Sequence, residues 1–417
     1  MKKLFVLLAA FVLFSSVSNA GILDNVKYYG EGSFYGYAIE SRGSYEGATV
    51  YYGMLGLSAD VYENISASFA LSYTDLWGIS PDDGQSITLN NQSVGVLGKL
   101  IIAQANVTLD KLFDVDGLKL KIGRQFYGDE DSAVMYFGVR RDLPAIAALY
   151  GLDNREASPI NSMDAVTAYY ENEHIKANAL FATFVNESVA TKRNNNITLK
   201  GFDFKYLNIA NMIDVQGYFY DIENLSTFYG ALPRHYNILG AKGTFHKTIN
   251  ENALKASLEI AANYAGSEIL SDDIKNLNTG IVKLDASFNI SKIDLTPRAS
   301  FGVYGGYDKK DGRKYFISFG NYYPGLIGGE NFSGTSFADT TIINFGADYK
   351  ISKFSFSFDF FNFSHEQDAW KSSAEIDLQA KYAYTESIYF NVGIAHLFAD
   401  DSDNDIAYMQ AGLSYKF

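Results

Sequence analysis

The sequence has no cysteine and only six prolines in 417 residues. Without cysteine there is no disulfide framework, no thiolate metal site and no lipid attached to a cysteine behind a leader. No stretch rich in proline, glycine and serine divides the chain, so a single large unit fits better than a string of soluble domains. Long apolar runs are also missing after residue 20. Uncharged stretches such as Phe316 to Gly329 reach about fourteen residues and are broken by glycine and proline. A membrane-spanning helix needs roughly 20 apolar residues, so any membrane crossing has to be made by strands. There is no phosphate-binding loop, no basic patch for nucleic acid and no repeat period of a β-helix. The five histidines (His174, His235, His246, His365 and His396) are scattered. Only His396 lies well inside a late strand segment, and no nucleophile is identified for it, so no enzyme is expected.

What is present begins with Lys2 and Lys3, the apolar run Leu4 to Phe14, and Ser18-Asn19-Ala20. This is the pattern of a secretory leader cleaved after Ala20. Its removal takes two lysines away and moves the net charge from −14 to −16 over the remaining 397 residues. Tyrosine and phenylalanine number 31 each and glycine 36, while the mean hydropathy is −0.08, close to zero. Apolar and polar residues are interleaved, as in a wall with lipid on one side and water on the other. The last segment illustrates this: Ala407, Met409, Ala411, Leu413, Tyr415 and Phe417 share one face, and Tyr408, Gln410, Gly412, Ser414 and Lys416 share the other.

Alternating segments bounded by turn residues number eighteen: 27–41, 48–62, 65–78, 90–109, 117–127, 162–172, 175–187, 197–208, 212–223, 235–247, 253–265, 279–290, 293–307, 339–351, 353–365, 373–384, 387–398 and 406–417. The 90–109 segment changes phase near Ile102-Ala103, as at a bulge. Connections on one side are tight, such as Glu63-Asn64, Glu173-His174, Ser291-Lys292, Ser352 and Thr385-Glu386. Those on the other side are long, including 79–89, 128–161, 224–234, 266–278 and 308–338. Sorting of loop length by parity predicts an all-β fold, a transmembrane antiparallel β-barrel of eighteen strands over residues 21–417, with short periplasmic turns and long outer loops.

Parity also assigns the faces. A lysine on the lipid side at mid-membrane costs about 2 to 4 kcal/mol, so charges belong to the lumen. The expected lumen cations are Lys119, Lys121, Lys205, Lys242, Lys255, Lys283, Arg298, Lys350, Lys381 and Lys416, set against Asp203, Glu259, Asp285, Asp348, Asp359, Glu375 and Asp377. Tyrosines near strand ends (Tyr28, Tyr29, Tyr51, Tyr52, Tyr169, Tyr170, Tyr382 and Tyr384) are candidates for interfacial girdles. A barrel this wide is not filled by side chains alone. The longest connection, 128–161, is expected to fold inward as a constriction carrying Arg140, Arg141, Asp142, Asp153, Arg155 and Glu156 around the apolar turn Leu143 to Leu149. The alternative is an external lid. Asp401, Asp403 and Asp405 have the spacing of calcium oxygens but lack the glycine and distant glutamate of an EF-hand.

Gly123-Arg124-Gln125 and Ser162-Met163-Asp164-Ala165-Val166 resemble elements flanking the long third loop of the alginate-export and OprD-like porins, and the overall plan resembles the major porins of the Campylobacter and Helicobacter lineage. The resemblance implies an outer-membrane channel for passive diffusion of small hydrophilic solutes or ions, in contact with lipid and lipopolysaccharide, monomeric or trimeric and without a cofactor. A substrate-selective exporter or importer of an oligosaccharide or organic acid, and a non-conducting structural or adhesive barrel, are the alternatives. Alginate exporters have a lumen rich in arginine and lysine, whereas this wall has Arg298 as its one clear arginine.

Overall fold

The computed structural model describes residues 25–41, 43–77, 87–89, 92–94, 99–139, 160, 162–185, 196–224, 235–265, 279–308, 312–317, 325–327, 336–338, 340–365, 372–399 and 405–417. The leader and the charged loop residues Arg140, Arg141, Asp142, Asp153, Arg155 and Glu156 lie outside them, as do Asp401 and Asp403.

Eighteen antiparallel strands form one closed sheet. They are β1 (Val26–Ser41), β2 (Ser44–Tyr62), β3 (Ile65–Trp77), β4 (Lys99–Leu109), β5 (Leu118–Gln125), β6 (Met163–Glu171), β7 (Ile175–Val185), β8 (Asn196–Ile209), β9 (Ile213–Asn224), β10 (His235–Ile249), β11 (Asn252–Ala265), β12 (Thr279–Asn289), β13 (Leu295–Tyr304), β14 (Thr340–Ile351), β15 (Phe354–His365), β16 (Ser372–Ala383), β17 (Ile388–Phe398) and β18 (Ile406–Lys416). Each pairs with its sequence neighbours, and β1 pairs with β18 from Glu31↔Lys416 to Ser41↔Ile406. That seam removes the last sheet edge.

One rim carries the tight turns together with Val26 and Phe417. At Asn250-Glu251 both turn residues have positive φ (48° and 71°) between the paired Ile249 and Asn252. Two left-handed residues give a turn whose twist matches that of the strands. The other rim carries the long connections, except that β1 and β2 are joined by residues 42–43 alone. In outer-membrane barrels the turn rim is periplasmic.

The segment expected at 90–109 is divided. β4 starts at Lys99, and a separate hairpin pairs Ile87–Leu89 with Gln92–Val94. The phase change is a bulge: Ala70 pairs with Gln104 and Leu71 with Ile102, so Ala103 is the extra residue. It leaves Ile102 and Ala105 outside, with Gln104 and Asn106 buried inside.

Phe354, Phe356 and Phe358 are exposed on the outer face, as are Leu258, Ile260, Val282, Leu284, Ile376, Leu378, Val392 and Ile394. Exposed aliphatic and aromatic residues along the outer face, with polar residues such as Glu375 and Asp377 buried between them, are the inverse of a soluble protein and mark a lipid-facing belt. Among the tyrosines considered for girdles, Tyr29, Tyr52 and Tyr169 share the inward parity of Glu31, Met54 and Thr167. Their alternation turns them into the lumen, and they do not belong to a girdle.

Phe358→Arg is expected to lower the stability of the barrel in lipid vesicles by about 2 to 4 kcal/mol. Gln379→Arg, an inward position on β16, lowers it far less. Urea unfolding followed by tryptophan fluorescence reads both.

Candidate functional site: the lumen

Parity and pairing bring the inward lysines together. Lys176, Lys205, Gln216, Lys242, Glu259 and Lys283 are successive pairing partners on β7 to β12, which lays them side by side in one row around the wall. Across this row the cations outnumber the carboxylates. Lys283 reaches Asp285 at 3.1 Å, and Ser257 donates to the same carboxylate at 3.3 Å. Lys121 is inward on β5, and Lys119 reaches Asp110 at 2.8 Å near the turn rim.

The carboxylates gather on the next part of the wall. Arg298, Gly346, Asp359 and Asp377 are successive partners across β13 to β16. The Arg298 guanidinium donates to Asp348 at 3.0 and 3.3 Å and forks onto both oxygens of Asp359. Asn344 adds a bond to Asp359 at 2.8 Å. A Cβ at Gly346 would lie 2.4 Å from the Asp359 carboxylate, so glycine makes room for the pair. Bidentate arginine–carboxylate pairs are the strong ones, and a buried carboxylate is costly without them.

Two connections enter the lumen. Residues 126–139, the described part of the third outer connection, lie against β8 to β11. Tyr127 donates to Asp203, the Ala133 amide to Glu259 at 3.4 Å, and Tyr218 to Glu259 at 2.9 Å. Asp131 meets Lys242 at 3.2 Å and Lys255 at 3.8 Å. Ala133, Val134, Met135 and Phe137 are buried, and further on Val139 packs with Met54, Ala70 and Ala103 of β2 to β4. On the other side, Gly325-Leu326-Ile327 of the connection between β13 and β14 sits against β16 to β18. The Leu326 amide donates to Asp377 at 3.0 Å and the Ile327 amide to Glu375 at 2.7 Å. Gly325 has φ +82°, and a Cβ there would lie 2.8 Å from the Glu375 carboxylate. The first ledge is thus bonded to β8 and β11 and the second to β16, on separate parts of the wall.

The two sequence elements beside the third connection touch. Arg124 donates to Asp164 at 2.8 and 2.7 Å, and Gln125, fully buried, donates to the Ala165 carbonyl at 3.0 Å. Gly123 has φ +114°, where a Cβ would lie 2.3 Å from the Ala105 carbonyl. Arg124 shares its face with Ile122, outside the lumen; the motif is a joint at the root of the connection.

Lys350, Lys381 and Lys416 share the inward parity of Asn344, Asp377 and Gln410. Asp405 accepts from the Ala399 amide at 2.9 Å and lies 3.7 Å from His396, which is on the outer face beside Phe398. Sequence reasoning missed the 325–327 ledge, Glu31, Lys176 and Tyr127. The apolar pair Leu326-Ile327 after a glycine in an outer connection was the available signal for the ledge.

The barrel resembles solved channels of Pseudomonas aeruginosa. OccK8 (OprE) gives a TM-score of 0.64 at 12% identity, covering 95% of this chain and 99% of that one. OpdK solved with vanillate gives 0.63 at 11%, covering 95% and 100%. This is the fold of the OccK/OprD outer-membrane porins. OccK2 (OpdF) in complex with glucuronate gives 0.61 at 11% identity, covering 95% and 99%. No family model and no curated protein matches the sequence. With that fold and its lipid-facing belt, the barrel belongs in the outer membrane.

Two outcomes are expected. Replacing Glu375 and Asp377 together by alanine removes the acceptors that hold Leu326 and Ile327, and single-channel conductance rises. Burial pushes the Asp131 carboxyl upward, but the ammonium groups of Lys242, Lys255 and Lys205 outweigh it and hold it below the usual aspartate value. A carboxylate depressed in this way stabilises the ledge fully above the unfolded-state pKa, and that contribution disappears as pH falls through the lowered value. The wild-type ledge therefore survives mild acid, and Asp131→Asn abolishes this component of the pH dependence of conductance.

Proposed function

We propose that the chain is a passive outer-membrane channel for small hydrophilic solutes and that it favours small organic anions. The observation that carries this reading is the inward row Lys176, Lys205, Lys242 and Lys283, broken by Gln216 and Glu259. A row of like charges lining a pore attracts the opposite sign and raises its local concentration. Glu171, Asp131 and Asp285 take up part of this charge at Lys176, Lys242 and Lys283, and Lys205 forms no ion pair among the described residues. The carboxylates of β14 to β16 add little against the row, because Arg298 engages Asp348 and Asp359 while backbone amides cover Glu375 and Asp377. The fold neighbours solved with vanillate and glucuronate hold carboxylates, which favours an organic acid over a neutral sugar. In this reading transport is diffusion down a gradient, and no residue performs covalent chemistry.

The third connection is the proposed constriction. The burial of 133–137 against the wall supports it, and the charged residues Arg140, Arg141, Asp142, Asp153, Arg155 and Glu156 would follow directly on that ledge. Lipopolysaccharide surrounds the outer rim in this setting.

Refolded protein in a planar bilayer with a salt gradient is expected to show steady open channels and a reversal potential on the anion-selective side. Replacing Lys205, Lys242 and Lys283 by methionine moves the permeability ratio several-fold towards cations. Deletion of 140–156 raises the conductance. A silent bilayer from every protein overturns the channel reading in favour of a structural or adhesive barrel.

A further inference from the structure

Towards the turn rim the lumen holds a cavity of about 630 Å³ along β14 to β18 and, across the closing seam, β1. This is within the range of small-molecule sites, about 300 to 1,000 Å³. It is separate from the lysine row on β7 to β12, and its chemistry differs. On one wall Ser33 and Ser414 share a hydrogen bond of 2.8 Å, Tyr35 joins Ser414 at 3.1 Å, and Asn391 donates to Ser414 at 2.9 Å. Four side chains from β1, β17 and β18 thus form one network in which each hydroxyl can donate or accept.

The charges around this network are uneven. Asp348 is clamped by Arg298 and Ser357, and Lys416 is paired in register with Glu31. Lys381 is different, because its strand neighbours are Ser355 and Asn391 and it forms no ion pair among the described residues. Its ammonium stands 4.3 Å from the centre of the Tyr389 ring. A ring face holds a cation in position without cancelling its charge. The result is an oriented, uncompensated ammonium beside a cluster of hydroxyls and an amide, with an aromatic ring at hand.

We infer that this cavity is a second solute subsite, on the periplasmic side of the constriction, which binds hydroxylated monocarboxylates of the sugar-acid class. The carboxylate meets Lys381, and the hydroxyls exchange hydrogen bonds with Asn391, Ser414, Ser33 and Tyr35. Such a site hands an anion from the lysine row to the exit. The inference rests on the channel reading above and deepens it.

The test is current through single channels with gluconate, hexanoate or sorbitol added to the turn-rim side. Gluconate combines the charge with the hydroxyls, hexanoate has the charge alone, and sorbitol has the hydroxyls alone. Gluconate is expected to give resolved, concentration-dependent interruptions that the other two do not give. Lys381→Met and, separately, Ser414→Ala weaken them by about tenfold, the loss of a charge-assisted hydrogen bond or most of one. Lys242→Met leaves the interruptions in place. Open wild-type channels that treat gluconate and hexanoate alike overturn the subsite and leave the channel standing, and this comparison needs no variant to fold. Interruptions abolished by Lys242→Met and kept in Lys381→Met also overturn it, by moving the binding to the row. A silent wild-type channel overturns the channel reading itself.

Discussion

A backbone inside lipid has no water to bond, so every amide and carbonyl in the membrane must find its partner in the protein. For strands the solution is a closed cylinder, and here closure depends on one seam. β1 and β18 pair over eleven residues, and the Gly30 and Phe417 backbones exchange bonds of 3.1 and 2.9 Å beyond it. Once the sheet is closed, strict alternation follows, because each strand has lipid on one side and the lumen on the other. The eighteen strands then leave an interior too wide for side chains to fill, and the organisation of that interior follows from this excess of space.

The space is taken up by backbone as well as by side chains. Residues 126–139 and 325–327 enter from the loop rim, and both bring amides that need acceptors. Glu259 serves the first, and Glu375 and Asp377 serve the second. Buried carboxylates are costly, and inward loops with unmatched amides are costly as well; together they offset one another. This explains why acidic residues on β11 and β16 lie deep in a wall that also carries a row of lysines. Their charge is spent on holding the loops, while on β7 to β12 Lys176, Lys242 and Lys283 meet Glu171, Asp131 and Asp285 and Lys205 forms no ion pair among the described residues.

Much of this was legible in the sequence because a strand has a period of two and the two solvents differ sharply. Phe354, Phe356 and Phe358 against Ser355, Ser357 and Asp359 admit one orientation, and the lumen lysines follow from the same parity. Even the bulge at Ala103 is visible as a break in alternation. What parity does not carry is which inward residues meet. Arg298 and Asp359 are 61 positions apart and join only because β13, β14 and β15 run side by side. The same holds for the row from Lys176 to Lys283, whose members come from different strands and align only through register.

The sequence by itself therefore determined the barrel, its strand number and the face of nearly every wall residue, since each follows from local alternation between lipid and water. Tertiary structure alone decided how the lumen is divided. Register selects which charges become neighbours, and the depth to which 126–139 and 325–327 fold selects which carboxylates stay available to a solute. Both are long-range properties of a closed cylinder, set by pairings between strands that are distant along the chain.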